Sequence, residues 1–339
     1  MNTSHQNKPQ AVFLDSKTLG EDIDLSPLYA MVDLTLYNNT DSQADTIISR
    51  IGSAQVVITN KVKLSNQVIQ QCQNLKLVLA AATGTDHIDL QAASKSNILV
   101  CNARNYATAS VAQHTLAMIL NLATNIHNYH QEIYNGHWSN QDLFCLLNHP
   151  IIDVSELTLG IIGYGALGKA VAERAQALGM IINICESLTH TSARVNTQDY
   201  IQTQPARTSF DELLKNSDIV SLHCPLTGDN HHLINEAALQ NMKNSAFLIN
   251  TARGGLVDSQ ALCTALDSGE ISGAALDVFA EEPLPKNHCF LEQRRNNLLL
   301  TPHTAWASHS ARQSLVSELM SNLEAWHNGS NRNLVNSSI

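Results

Sequence analysis

Arg253, Glu282 and His303 are the side chains whose types and settings point to chemistry. Arg253 falls between the apolar run AFLIN (246–250) and the pair Gly254 and Gly255, so a guanidinium emerges where a strand gives way to a turn. A planar guanidinium grips a carboxylate through two parallel hydrogen bonds. The alternative is a structural ion pair with Asp258 or Glu282. His303 follows the run LLL (298–300) by way of Thr301 and Pro302. Imidazole ordinarily titrates near neutral pH and can hand a proton to a reacting oxygen. The chain has 15 histidines, so only position separates this one from a packed or solvated ring. Glu282, in AEEPL, is placed to orient an imidazole and to stabilise its protonated form. Glu281 beside it reads as solvated.

A second constellation lies in LTLGIIGYGALGKAVAERAQALGMIINICE, residues 157–186. The pattern predicts a strand over 159–162, a glycine turn, a helix over about 167–178 and a second strand over 180–185. Gly163, Gly165 and Gly168 have G-x-G-x-x-G spacing, with Ala166 and Leu167 between the last two. In such a unit the first glycine permits a tight turn and the second lets the backbone approach a pyrophosphate. The third lets helix and strand pack closely, and the helix start offers free N–H groups to the phosphates. Glu186 ends the second strand, where a carboxylate can bind both hydroxyls of an adenosine ribose. Its charge opposes a 2′-phosphate, so the expected cofactor is NAD rather than NADP; Arg194 in the following loop argues the other way.

These groups must be positioned by a sheet. In an open parallel sheet, ligands bind outside the carboxyl ends of the strands. DIVSLH (218–223) leads into Cys224 and Pro225, AFLIN into Thr251 and Ala252, and GAAL (273–276) into Asp277. All five are read with the glycine turn and Glu186 as cofactor-side residues. Upstream, strands over 11–14, 34–37, 55–59, 75–82 and 98–101 alternate with helices over 45–51, 65–72 and 89–96, which implies a parallel sheet covered on both faces. A long helical stretch follows over 107–134, and an amphipathic helix over 311–326 is expected to return to the first domain. The expectation is an α/β protein of two doubly wound parallel-sheet domains. One comprises 10–106 plus 303–335; the other, 107–302, is inserted into it and begins with a helical arm to about 150.

Composition limits the function classes. A chain of 339 residues exceeds one ordinary core, and 44% hydrophobic residues suffice for packed cores. The net charge of −10 gives no electrostatic reason to expect nucleic acid or an anionic membrane, and no apolar run is long enough for a span. Seven dispersed cysteines, none in C-x-x-C spacing, fit reduced thiols in a cytoplasmic protein. The polar start reads as a frayed tail, not a signal peptide. His127, His130 and His137 read as a solvated or interfacial helix face; no acidic or cysteine partner at ligand spacing supports a metal.

The motifs AATGTDHIDL, SVAQHTLAMIL, LTLGIIGYGALGKAVA, HCPLT, LINTARGGLVD, GAALDVFAEEPL and TPHTAW occur in that order over nearly the full length. In these the chain resembles the D-isomer-specific 2-hydroxyacid dehydrogenases. The family's catalytic arginine, glutamate and histidine fall on Arg253, Glu282 and His303. The resemblance implies a Rossmann NAD-binding domain inserted into a flavodoxin-like substrate domain, with the substrate between them and NADH delivering a hydride. It implies that Arg253 and His303 meet the substrate, helped by backbone N–H groups around Thr83, Gly84 and Thr85, and that Asp277 lies near the nicotinamide. It also implies a homodimer paired through the arm. Within the family, NYATASVAQHT, the spacing of Trp138 and Phe144, and HTAWAS point to the branch acting on hydroxypyruvate and glycerate. The chain stops soon after its last helix, whereas phosphoglycerate-oxidising relatives often carry a regulatory domain. Formate-oxidising relatives pair the histidine with glutamine where Glu282 stands here. The alternatives are glyoxylate, a longer 2-keto acid, or a phosphorylated hydroxyacid, for which Lys61 and Arg104 are the early extra cations. A non-catalytic NAD-sensing scaffold is the alternative of another class.

Overall fold

Central strands such as VVIT and FLIN are unbroken apolar or β-branched runs, buried on both faces, as a parallel sheet under two layers of helices requires. The computed structural model describes residues 8–188 and 207–336; the tail over 1–7 and Arg194 lie outside the described residues. The chain divides into two compact units, residues 1–107 with 306–339, and residues 108–305.

The first unit contains β1 (Gln10–Phe13), β2 (Asp33–Leu36), β3 (Val56–Thr59), β4 (Leu77–Ala80) and β5 (Leu99–Cys101), all parallel, in the order β2-β1-β3-β4-β5. That order is the flavodoxin-like one. Its helices are α1 (Ser26–Met31), α2 (Ala44–Ile51), α3 (Asn66–Gln71) and α4 (Leu90–Lys95). Alternate strand residues enter different cores. Val12 and Leu14 pack with Ile47, Val68 and Ala93, while Ala11 and Phe13 pack with Leu28, Leu315 and Leu319 from the returning C-terminal helix. Each predicted strand forms, with its ends shifted or trimmed by at most two residues. The short α1 was not anticipated.

The second unit opens with α5 (Thr108–Thr124) and α6 (Ile126–Tyr134), followed by β6 (Thr158–Ile162), α7 (Ala166–Ala177), β7 (Ile181–Cys185), β8 (Arg207–Thr208), α8 (Phe210–Asn216) and β9 (Ile219–Leu222). It continues through α9 (Glu236–Gln240), β10 (Phe247–Asn250), α10 (Ser259–Ser268), β11 (Gly273–Leu276), α11 (Cys289–Glu292) and β12 (Leu298–Leu300); α12 (His309–His327) belongs to the first unit. The sheet order is β12-β11-β10-β9-β6-β7-β8, entirely parallel, with the strand order reversing at β6. This is the Rossmann arrangement, and its ligand crevice lies at the carboxyl ends of the paired β6 and β9, where the strand order reverses.

The helical stretch over 107–134 forms as two helices: Asn125 adopts left-handed φ 53° and ψ 31° between α5 and α6. Asparagine tolerates that conformation, and its side-chain amide is tied to Pro150 O at 2.6 Å and to Asn128 Nδ2 at 2.8 Å. The crossings fall after Ala107 and after Ala305, and the amides of Thr304 and Ala305 are bonded to Asp277 in the second unit.

Candidate active site

Gly163 leaves β6 with φ 97°, and a Cβ there would stand 2.5 Å from the backbone nitrogen of Cys224. The turn after β6 therefore lies directly against the turn after β9. At Gly168 a Cβ would meet Gly163 O at 2.2 Å, so α7 packs onto the turn that starts it. Gly165 differs: nothing lies within 4 Å of its Cβ position, and α7 begins there without a side-chain cap. Uncapped helix amides beneath open space, where a Cβ would intrude, suit a pyrophosphate. Ala166 and Leu167 form the first turn of α7, and exposed Glu186 follows β7. Cys224 is half-buried and Pro225 exposed at the end of β9.

Arg253 and His303 stand on two loops, each anchored by the strand residue or turn beneath it. Asn250, wholly buried at the end of β10, accepts from Ala252 N at 3.0 Å and donates to Arg253 O at 2.9 Å. Arg253 Nη1 donates to Ala252 O at 2.8 Å. Gly254 is obligatory, since a Cβ would fall 1.9 Å from the carbonyl carbon of Phe279. That contact locks the arginine loop to the segment carrying Glu282, whose Oε1 accepts from Phe279 N at 2.9 Å. Asp258, offered above as an ion-pair partner for Arg253, caps α10 and lies 3.6 Å from His232.

His303 Nδ1 is 2.6 Å from Glu282 Oε2, with both side chains about a quarter to a third exposed. An ionised carboxylate only accepts, so Nδ1 carries the hydrogen. The backbone of His303 is left-handed, at φ 53°. A residue of this kind holds such a conformation only when its surroundings over-determine it. Asp277 supplies that constraint. Its carbonyl accepts from His303 N at 2.8 Å. Oδ1 accepts from Thr301 Oγ1 at 2.5 Å and Thr304 N at 2.8 Å, and Oδ2 from Ala305 N at 2.8 Å. The resemblance set Asp277 near the nicotinamide; in the fold it is 1% exposed and both of its oxygens accept from the 301–305 loop.

Residues 116–305 match the profile of the "D-isomer specific 2-hydroxyacid dehydrogenase, NAD binding domain". The chain belongs to the D-isomer-specific 2-hydroxyacid dehydrogenases. Membership makes it an NAD-dependent oxidoreductase, and the glycine cradle described above fits that cofactor. A glycerate dehydrogenase of Methylorubrum extorquens is 40% identical over 86% of this chain and 88% of its own. A hydroxypyruvate reductase of Blautia hydrogenotrophica is 33% identical over 96% and 99%. The crystal structure of an Aquifex aeolicus D-lactate dehydrogenase complexed with NAD and lactic acid superposes with a TM-score of 0.78, at 30% identity, over 94% of this chain and 96% of that one. No helix among the described residues is long and apolar enough to cross a membrane.

Thr251 and Ala252 are nearly buried, and the hydroxyl of Thr251 meets Thr115 of α5 at 3.1 Å. Thr83, Gly84 and Thr85 belong to the first unit, after β4, where the Thr83 hydroxyl donates to Ala103 O at 2.9 Å. Lys61 and Arg104 lie in the same unit: Lys61 N donates to Asp15 at 2.7 Å, and Arg104 Nε to Asn102 at 3.3 Å. On the arm, His127 and His130 are exposed, whereas Glu132 pairs with His137 at 2.5 Å and with His149 at 3.3 Å. Hydrogen bonding to His137 holds the Glu132 carboxyl below the usual carboxylate range. Asn250 went unremarked in the sequence, though a polar residue closing an apolar strand run is the available signal.

Proposed function

We propose that the protein reduces hydroxypyruvate to D-glycerate, with His303 as the proton donor. The carrying observation is the 2.6 Å pairing of His303 Nδ1 with Glu282, which leaves Nε2 as the nitrogen facing chemistry. NADH, when bound along the glycine cradle and Glu186, supplies the hydride. Arg253 grips the substrate carboxylate and polarises the keto group. His303 Nε2–H passes its proton to the keto oxygen, while Glu282 accepts from Nδ1–H, fixes the ring and stabilises the imidazolium before transfer. In the reverse direction neutral His303 takes the hydroxyl proton. The choice of hydroxypyruvate rests on the similarity to the Methylorubrum and Blautia proteins and on the hydroxypyruvate-type motifs.

The protein acts as a cytoplasmic homodimer paired through the arm in this reading. Phe144 is 90% exposed and Leu147 81%, and such apolar surface favours burial against a second copy. Purified protein is offered NADH with hydroxypyruvate, glyoxylate, pyruvate or 3-phosphohydroxypyruvate, each repeated with NADPH. Hydroxypyruvate with NADH is expected to give the highest kcat/KM, and His303→Gln to lose on the order of 10²–10⁴ in rate. Preference for another keto acid rejects the substrate; an unimpaired His303→Gln variant rejects the mechanism.

A further inference from the structure

Helix α5 carries no residue of the triad, yet two adjacent side chains on it reach the roots of both catalytic loops. His114 Nε2 lies 3.0 Å from Thr301 Oγ1 and 3.6 Å from Asp277 Oδ1. Thr115, fully buried, has its hydroxyl 3.1 Å from that of Thr251. Thr301 stands two residues before His303, and Thr251 two before Arg253. The helix is fixed to the sheet beneath: Met118, Ile119 and Leu122 share a core with Phe247 and Ile249 of β10 and Ala275 of β11.

The hydrogens along both chains can be assigned. A hydroxyl has one proton to give. Thr301 gives its proton to the Asp277 carboxylate at 2.5 Å, so His114 must donate to Thr301 and carries its hydrogen on Nε2. Thr115 gives its proton to Val111 O at 2.8 Å, so Thr251 donates to Thr115. One chain therefore runs from His114 through Thr301 to Asp277, whose carboxylate holds Thr301 before the left-handed His303 and the amides of Thr304 and Ala305 after it. The other runs from Thr251 into α5 at the base of the Arg253 loop.

Resting on the roles assigned above to His303 and Arg253, we propose that His114 and Thr115 are positioning residues, His114 for the proton donor and Thr115 for the carboxylate clamp. Neither touches the reacting atoms. His114 serves as a hydrogen-bond donor, so glutamine, whose terminal amide reaches about as far as Nε2, replaces it. Displacing a reacting group by about 1 Å costs on the order of 10²-fold, and loss of either anchor is expected to approach that.

The experiment compares His114→Leu, His114→Gln, Thr115→Val and Thr115→Ser with the parent holoenzyme, using hydroxypyruvate and NADH, alongside His303→Gln and Arg253→Gln. His114→Leu is expected to lower kcat about 10- to 100-fold with the keto-acid KM within about threefold, and His114→Gln to recover most of it. Thr115→Val is expected to raise the keto-acid KM about 10-fold or more with a smaller effect on kcat, and Thr115→Ser to restore it. Thermal unfolding and NADH fluorescence titration on the same samples report folding and cofactor affinity. Parental kinetics in His114→Leu and Thr115→Val, or equal losses in both with no rescue by glutamine or serine, overturn the proposal. If His303→Gln and Arg253→Gln themselves retain parental kinetics, the underlying mechanism has failed instead. If His114→Leu does not fold, the Thr115 pair still decides between the outcomes.

Discussion

Replacing Asp277 by asparagine tests whether this residue holds the His303 loop. The carboxylate receives three hydrogen bonds, two on Oδ1 and one on Oδ2, at 1% exposure. An amide has one accepting atom. Its better orientation keeps the oxygen toward Thr301 and Thr304 and turns the NH₂ against Ala305 N–H. One buried amide hydrogen is then unpaired, at a cost of about 1–3 kcal/mol, and the two surviving bonds lose charge assistance worth about half their strength. Relief of the buried charge offsets part of this, leaving a destabilisation of about 2 kcal/mol. That is comparable with the 1–3 kcal/mol typical of a non-glycine residue held left-handed, so the loop is freed to relax. The expected outcome is a urea midpoint lowered by the equivalent of about 2 kcal/mol and a kcat lowered on the order of 10²-fold, with NADH affinity unchanged. Unfolding curves, steady-state kinetics and NADH titration check it. A kcat within threefold of the parent, or a defect confined to NADH affinity, would refute the positioning argument, the latter returning Asp277 to the cofactor.

Gly165→Ala is expected to fold with parental stability, because its Cβ meets nothing, yet to weaken NADH by about 10-fold or more. Gly163→Ala, at φ 97° and against Cys224 N, is expected instead to unfold at markedly lower temperature; equal behaviour of the two would contradict the cradle geometry. Glu186→Ala should raise the kcat/KM ratio of NADPH to NADH by about 10-fold, the effect of removing one charge from the 2′-phosphate position. The fourth prediction concerns acid. Burial, with the nearby Lys61 charge, pushes His87 down from 6.5 to about 4, and burial alone pushes His223 to about 4. Between those values the unfolded chain binds protons that the folded chain refuses, so the contribution is whole above about 6.5 and is lost as pH falls through about 4. The expected fall is at most about 3 kcal/mol per histidine. Urea unfolding at neutral and acidic pH measures it, His87→Gln should shallow it, and a flat profile over that window would count against both assignments.

Much of the site was legible because its rules are local. The glycine spacing, the acidic residue closing β7, and the polar residues following apolar runs all follow from how strands end and helices begin, within a few residues of chain. Parallel sheets put those ends on one edge, so order and spacing single out Arg253, Glu282 and His303 as candidates, and the family resemblance gives them their roles. The break at Asn125 was not legible, since asparagine is also tolerated inside helices, and only its bonds to Pro150 O and Asn128 select the left-handed state. Nor were the contacts of Asp277, Asn250, His114 and Thr115. His114 meets Thr301 across 187 positions and Thr115 meets Thr251 across 136, and nothing local encodes either meeting. The sequence determined which chemical groups the protein possesses and on which strand ends they stand, because periodicity and turn chemistry act over a single element. The tertiary structure decided which of them meet and which are buried, because that depends on the side chains that a packed core brings together from remote parts of the chain.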